Sequence, residues 1–472
     1  MLVSRQREQE ILRNSLKEEQ SSFIAIYGRR RVGKTFLVRE TFGDAIFFSH
    51  TGIADGTLKL QLKAFYDSAV TAGCDAPKVP KDWIEAFSIL KQSVMKSRRR
   101  KKVIFLDELS WMDTPRSHFL TALEFFWNGW ASGRKDIVLI VCASATSWIM
   151  DNIVHNKGGL HNRLNDQIQL NPFTLKECEE LARANGLKTD RQDILQYYMA
   201  LGGIPYYWKL LERGASTAQN FDRLFFTENA RLRDEYEYLY ASLFKKPEPY
   251  VAIVSTLAKK KSGMTRLELI TAAHLTNSGV TTKKLRELEQ CGFIRRCREY
   301  GKQRKDAVYQ LIDSFTLFYF SFMANKSSDP HFWMHSAGTP KINTWKGLAF
   351  ERVCLLHSEQ IRRKLGIAGV LTETYSWRCK ADEETGISGS QIDLLICRKD
   401  RVINICEIKY SDGPYSMTKA VYNDVLNKIN DFRLSTGTKY ALFPTLITSS
   451  EVKKNAYSEK MQACIDGDDL FL

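Results

Sequence analysis

Three groups of residues in this 472-residue chain have the types and spacing for chemistry. The first is Gly28-Arg29-Arg30-Arg31-Val32-Gly33-Lys34-Thr35, which matches G-x-x-x-x-G-K-[ST]. At that spacing the glycines let backbone N–H groups curl around phosphates, Lys34 spans the β and γ phosphates, and the Thr35 hydroxyl is a magnesium ligand. ATP and Mg2+ are the ligands expected. The second group, Asp107-Glu108, ends an apolar run. There Asp107 would hold the magnesium, and Glu108 would polarise the attacking water. Two acids after an apolar run say little alone, but beside the loop at 28–35 they supply its missing half.

The third group is spread over the last third of the chain. Gly347-Leu348-Ala349-Phe350-Glu351 lies on a helical stretch, Asp393 opens the run Ile392–Cys397, and Glu407-Ile408-Lys409 closes the run Val402–Lys409. The two runs, joined by the Lys399-Asp400 turn, read as a hairpin, and the period of two puts Glu407 and Lys409 on one face. Charges at alternate positions of an apolar strand are costly without a role. The plain alternative is a salt-bridged rim, with Glu407 paired to a neighbouring lysine.

These residues need elements to hold them. Short apolar runs at 23–27, 103–106 and 137–142 alternate with stretches of helical period, which predicts a parallel α/β sheet over 1–170. From Pro172 to about Tyr240 the pattern is helical, broken at Gly202, Gly203 and Pro205, and predicts a helical lid over 171–244. A linker at 245–249 leads into a module at 245–326: helices at 250–260, from 265 and at 281–290, the second opened by the Thr265-x-x-Glu268 capping box. A strand, a basic tip at 299–305 and a strand follow. Three helices and a two-stranded wing make a winged helix-turn-helix. The last domain, 330–472, opens with a helix around 349–364.

The first 240 residues resemble the archaeal-type group of AAA- and STAND-like P-loop ATPases. The resemblance rests on the loop with its triple arginine, on Arg5-x-x-Glu8-x-x-x-Leu12, on Ala143-Ser144 and on Gly203-Ile204-Pro205. It implies that the opening box lies near the adenine, that Ser144 is the polar sensor and that Pro205 packs on the base. It also implies ATP-dependent self-association. Arg163 is open to two readings, a γ-phosphate sensor or a surface arginine at a helix end. Residues 340–450 resemble the PD-(D/E)XK restriction-endonuclease-like fold. By that resemblance Glu351, Asp393 and Glu407 hold magnesium, while Lys409 positions the nucleophile or stabilises the pentacovalent state. No glutamine follows Lys409 until Gln462, so the extra glutamine motif of recombination-type nucleases is missing.

Charge adds one more inference. The net charge is +15, and residues 245–326 carry 16 Lys and Arg against 7 Asp and Glu, a local +9. Such a field favours polyanions such as DNA, RNA or nucleotides, and for DNA the predicted third helix and wing supply Lys283, Lys284, Arg286, Arg304 and Lys305 for phosphate contacts. The competing role for this module is mechanical, closing on the nucleotide and transmitting its state. The run 97–102 reads as a solvated cationic helix end. No C-x-x-C pair occurs among the ten cysteines, so reduced structural thiols are expected. No apolar run is long enough to span a bilayer, and none follows Arg5 and Arg7, so neither a membrane partner nor a signal peptide is expected and the cytosol is the expected location. The function expected is ATP binding and hydrolysis coupled to DNA binding and metal-dependent DNA cleavage in defence or mobile-element biology. The alternative is a nucleotide-switched regulator with an inert nuclease fold.

Overall fold

The three apolar runs become strands β1 (Ser22–Tyr27), β3 (Lys102–Asp107) and β4 (Ile137–Ala143), and every residue of each is buried. The computed structural model describes residues 2–156, 158–244, 246–303, 306–325 and 327–472. Two further strands, β2 (Ile46–Thr51) and β5 (Asp166–Gln169), complete a sheet of order β2-β3-β4-β1-β5, parallel throughout. They are its edges and only partly buried, so Ser49, Asp166 and Gln167 are tolerated there, while the buried His50 shares a hydrogen bond with Ser68 Oγ at 3.0 Å. Without a continuous apolar run they left no signal in the sequence. Lys102 is no part of a solvated helix end: it lies buried in β3, its ammonium 2.6 Å from Asp136. The helix before it ends at Lys96.

The chain divides into two units, Met1–Asn171 with Leu239–Pro247, and Pro172–Tyr238 with Glu248–Leu472. The short segment 239–247 therefore goes with the parallel sheet and not with the helices before it. In the second unit, the helices Leu175–Ala184 and Arg191–Leu201 are opened by Thr174 and Asp190, each accepting an N–H from the first turn. Gly203 follows because nothing larger fits: a Cβ there would lie 1.8 Å from the Phe173 carbonyl oxygen. Pro205 opens the four-residue helix Pro205–Trp208.

The basic module contains helices Glu248–Lys259, Arg266–Ala272 and Gly279–Gln290, then β7 (Ile294–Cys297) and β8 (Val308–Leu311). The first helix begins inside the expected linker, with Pro249 in its first turn, where proline costs no hydrogen bond. Lys245 of that linker lies outside the described residues. A third strand, β6 (Met264–Thr265), pairs with β8 and gives a three-stranded sheet of order β6-β8-β7. Two residues are too few for any periodicity to reveal.

The helix expected around 349–364 is two helices, Pro340–Leu356 and Ser358–Lys364, with His357 between them. The sheet that follows uses β9 (Thr372–Arg378), β10 (Gln391–Arg398) and β11 (Val402–Lys409). After the short β12 (Tyr415–Ser416) come β13 (Ala441–Thr448), the short β14 (Val452–Lys453) and β15 (Ala463–Ile465). Its order is β15-β13-β11-β10-β9, with β9, β10 and β11 antiparallel and β11, β13 and β15 parallel. The helix Lys419–Thr436 makes the crossover from β11 to β13, as a parallel pair requires.

Candidate functional site

At the carboxyl edge of the parallel sheet the residues of the first two groups meet. β1 runs into the loop 28–35, and Lys34 opens the helix Lys34–Phe42 with Gly33 before it at φ +96°. Gly28 has φ +148°, and a Cβ on it would lie 2.2 Å from the Leu170 carbonyl oxygen, so the loop can leave β1 only through glycine. The Lys34 ammonium is buried. It donates to Gly28 O at 2.8 Å, Arg29 O at 3.1 Å and Ser144 Oγ at 3.0 Å.

The Thr35 hydroxyl donates to Asp107 Oδ2 at 2.6 Å, and Asp107 Oδ1 accepts the Glu108 N–H at 3.0 Å. Burial raises the Asp107 carboxyl above its ordinary range, and the bond from Thr35 opposes that shift. Thr35 and Asp107 thus offer two hard oxygens side by side, a donor pair that fits magnesium. Ser144 follows β4. Its hydroxyl donates to Glu108 Oε1 at 2.5 Å and its N–H to Oε2 at 3.2 Å. Arg31 and Glu108 have left-handed backbones, φ +71° and +49°. Each such residue costs about 1–3 kcal/mol, and such strain gathers at working sites.

Within the same unit, Arg5 donates to Asn171 O at 2.5 Å, one residue beyond the Leu170 that crowds Gly28, and lies 3.7 Å from Glu8. The opening box is therefore pinned near the start of the loop. Of the rest of the loop, Arg29 and Val32 are buried and Arg30 is exposed. Arg163 is exposed. Pro205 belongs to the other unit.

The third group also gathers, with a partner the sequence did not suggest. Lys409 Nζ lies 2.8 Å from Glu407 Oε1, and Lys428, from the crossover helix, lies 2.8 Å from Oε2. Glu351 is pushed up to about 7 by burial and then by the Asp393 carboxylate, with a smaller push from Glu407. Arg352 is buried and Arg295 half-buried beside these acids. The Arg352 guanidinium donates to Lys261 O at 2.7 Å, and Arg295 reaches Gln310 Oε1 at 2.9 and 2.7 Å. Arg295 was hidden in Ile294-Arg295-Arg296-Cys297, where the strand period alone gave it an inward face, and Lys428 had no local signal at all.

The expected magnesium set of Glu351, Asp393 and Glu407 does not form: among the described residues no three His, Cys, Asp or Glu side chains converge closely enough to hold an ion. Both oxygens of Glu407 are instead taken by lysines. Glu351 and Asp393 remain a pair of mutually repelling carboxyls, and that donor pair fits a hard divalent cation.

On the helix Gly279–Gln290, Lys283 and Arg286 are exposed, the Lys284 ammonium lies 5.9 Å from the centre of the Tyr250 ring, and Leu285 and Leu288 are buried. Arg304 and Lys305 lie outside the described residues. Just before them Gly301, Lys302 and Gln303 are exposed, while the start of the tip is held. Glu299 is buried and lies 2.8 Å from Arg378, and the Tyr300 N–H donates to Ser376 O of β9 at 2.8 Å. No helix among the described residues is long and apolar enough to cross a membrane, and all ten cysteines are free.

Comparison with known proteins agrees with the first half of this geometry. The model of an ATPase domain predominantly from Archaea matches residues 2–211. The uncharacterized protein MJECL04 of Methanocaldococcus jannaschii is 23% identical over 454 residues, covering 93% of this chain and 94% of its own length. Among solved structures, the Walker-type ATPase PABY2304 of Pyrococcus abyssi is similar with a TM-score of 0.50 and 15% identity, over 68% of this chain and 96% of the other. Residues 2–211 thus resemble an archaeal-type ATPase domain, on a fold shared with a Walker-type ATPase, and nucleotide binding and hydrolysis are the activity of that domain family.

Proposed function

We propose that this protein binds ATP with magnesium at residues 28–35 and hydrolyses it. The observation that carries the reading is one hydrogen-bonded network joining Thr35 to Asp107, and Lys34 through Ser144 to Glu108. Lys34 is folded back onto two carbonyl oxygens of its own loop, acceptors that phosphate oxygens would replace with charge-assisted bonds. Thr35 and Asp107 would hold the magnesium, whose charge would offset that of the phosphates. Glu108 is the base: with one oxygen released from Ser144 it can accept a proton from water. Ser144 can then report the γ phosphate, since its hydroxyl touches both Lys34 and Glu108.

Binding of a fluorescent ATP analogue and phosphate release test this. Lys34→Ala should abolish binding. Glu108→Gln should bind normally and lose 10²–10⁴-fold in turnover, the usual contribution of a general base. Turnover that survives Glu108→Gln removes the base assignment; wild-type binding by Lys34→Ala removes the site.

The same proposal extends to DNA, held by Lys283, Lys284 and Arg286 with Arg304 and Lys305, and cleaved with a metal that Glu351 and Asp393 would hold, beside Glu407 and Lys409. The support is the local charge of +9 and the gathered acids. Neutralising Lys283, Lys284 and Arg286 should reduce the slope of log affinity against log salt by about 3 if each meets a phosphate. An unchanged slope assigns the module the mechanical role. A second reading, a nucleotide-switched regulator with an inert nuclease fold, is favoured by the two lysines that occupy Glu407. Mg2+-dependent nicking lost in Glu407→Ala decides for cleavage; no nicking under any nucleotide decides for the regulator.

A further inference from the structure

Asp393 sits at an irregularity. β10 pairs with β9 as Ile392 opposite Trp377, then resumes as Leu395 opposite Tyr375. Two residues of β10, Asp393 and Leu394, therefore face the single residue Ser376. On the other side, the β10–β11 pairing runs from Cys397 opposite Ile403 only as far as Leu394 opposite Cys406, so Asp393 lies one residue beyond it. This is a β-bulge, a device that bends a strand and re-aims a side chain, common beside active sites.

Ser376, the residue opposite the bulge, is held from its other side by the basic module. Its N–H donates to Arg298 O at 3.1 Å and its carbonyl accepts the Tyr300 N–H at 2.8 Å, so 298–300 joins β9 as a short parallel strand centred on Glu299. Cys297 Sγ, the last residue of β7, lies 3.5 Å from Ser376 Oγ. Tyr300 seats its ring against Phe432 and Tyr375, at 5.0 and 5.7 Å between centroids. Arg378 and Lys302 both pair with Glu299.

We propose that residues 298–300 are positioning residues for the carboxylate pair: by adding a strand to β9 at Ser376 they fix the bulge that aims Asp393 at Glu351. The inference rests on reading Glu351 and Asp393 as a metal-binding pair. It makes the stretch after β7 a structural lever. β7 follows directly from the helix that carries Lys283, Lys284 and Arg286, so a polyanion held by that helix would bear on the position of Asp393 through four residues of strand and one hydrogen-bonded step.

The test uses the full chain without nucleotide, on a Thr35→Ala, Asp107→Ala background so that the phosphate site contributes no ligand. Mn2+ affinity is read by electron paramagnetic resonance, and amide hydrogen exchange by mass spectrometry over 374–396. Tyr300→Pro removes the N–H that holds Ser376; Tyr300→Phe keeps it and the ring. Tyr300→Pro should weaken Mn2+ binding at least tenfold, in the range known for losing the residue that orients a ligand, and speed exchange in β9 and β10. Tyr300→Phe should restore both. Glu299→Gln, which removes the charge that ties the segment to Arg378 of β9 and so loosens the added strand, serves if Tyr300→Pro fails to fold, and should weaken Mn2+ binding in the same direction. Unchanged Mn2+ affinity in Tyr300→Pro or, failing that, in Glu299→Gln overturns the lever. If instead Asp393→Ala and Glu351→Gln both leave Mn2+ binding unchanged, the metal-binding reading beneath it is what fails.

Discussion

Glu351→Gln gives a quantitative test of how the carboxylate cluster is assembled. Glu351 titrates near 7 in the fold against 4.5 in an open chain, because burial and then Asp393 disfavour its charge. Between those values the folded protein keeps a proton that the unfolded chain releases. The stability this contributes is fully present below 4.5 and is lost as pH rises through 7. At 1.36 kcal/mol per unit, the shift corresponds to about 3 kcal/mol between the two limits. Glutamine stays neutral at every pH, so Glu351→Gln should gain about 2–3 kcal/mol relative to wild type between pH 5 and pH 8. Urea unfolding of the full chain with EDTA, followed by tryptophan fluorescence, measures this. The transition to compare is that of the unit holding Trp333, Trp345 and Trp377, since a protein of two units need not unfold in one step. A wild-type-to-variant difference that does not change between pH 5 and pH 8 would refute the cluster. A change of the opposite sign would mean that Arg352 and Lys409 outweigh burial and Asp393.

His357 should behave with the opposite sign. Burial lowers it to about 4, while its ring nitrogens are bonded to the Leu175 N–H at 3.1 Å and the Val353 carbonyl at 2.9 Å, which requires the neutral ring. Stability from this contact is present above 6.5 and lost as pH falls toward 4, by about 3 kcal/mol in total, and His357→Gln should remove that acid dependence. Equal acid sensitivity in His357→Gln and wild type would show that the ring is not the group responsible. Gly28→Ala combines a forced contact at 2.2 Å with a left-handed φ. It should cost on the order of 3 kcal/mol and abolish binding of the ATP analogue. An unchanged melting temperature with normal binding would mean that the loop leaves β1 by another path.

The chain's own pattern determined the phosphate loop and the acids at 107–108, because there the chemistry is local. Eight consecutive residues make the cradle, and a strand buried on both faces must be apolar, so its polar end stands out. It determined the hairpin of β10 and β11 for the same reason: a period of two with a polar turn needs no distant information. Strands β2 and β5 escaped it because edge strands are not obliged to be apolar, and β6 because two residues carry no period. The tertiary structure alone decided which charges meet. Lys428 is 21 residues from Glu407 and reaches it only because a parallel crossover lays the helix Lys419–Thr436 beside β11. Arg298–Tyr300 meets Ser376 more than seventy residues away because β9 is an edge strand with unpaired backbone groups to offer. Types and spacings name the groups that could react; burial and backbone pairing, which couple residues distant in the chain, set whether a carboxyl stands open to a cation or is already held by a lysine.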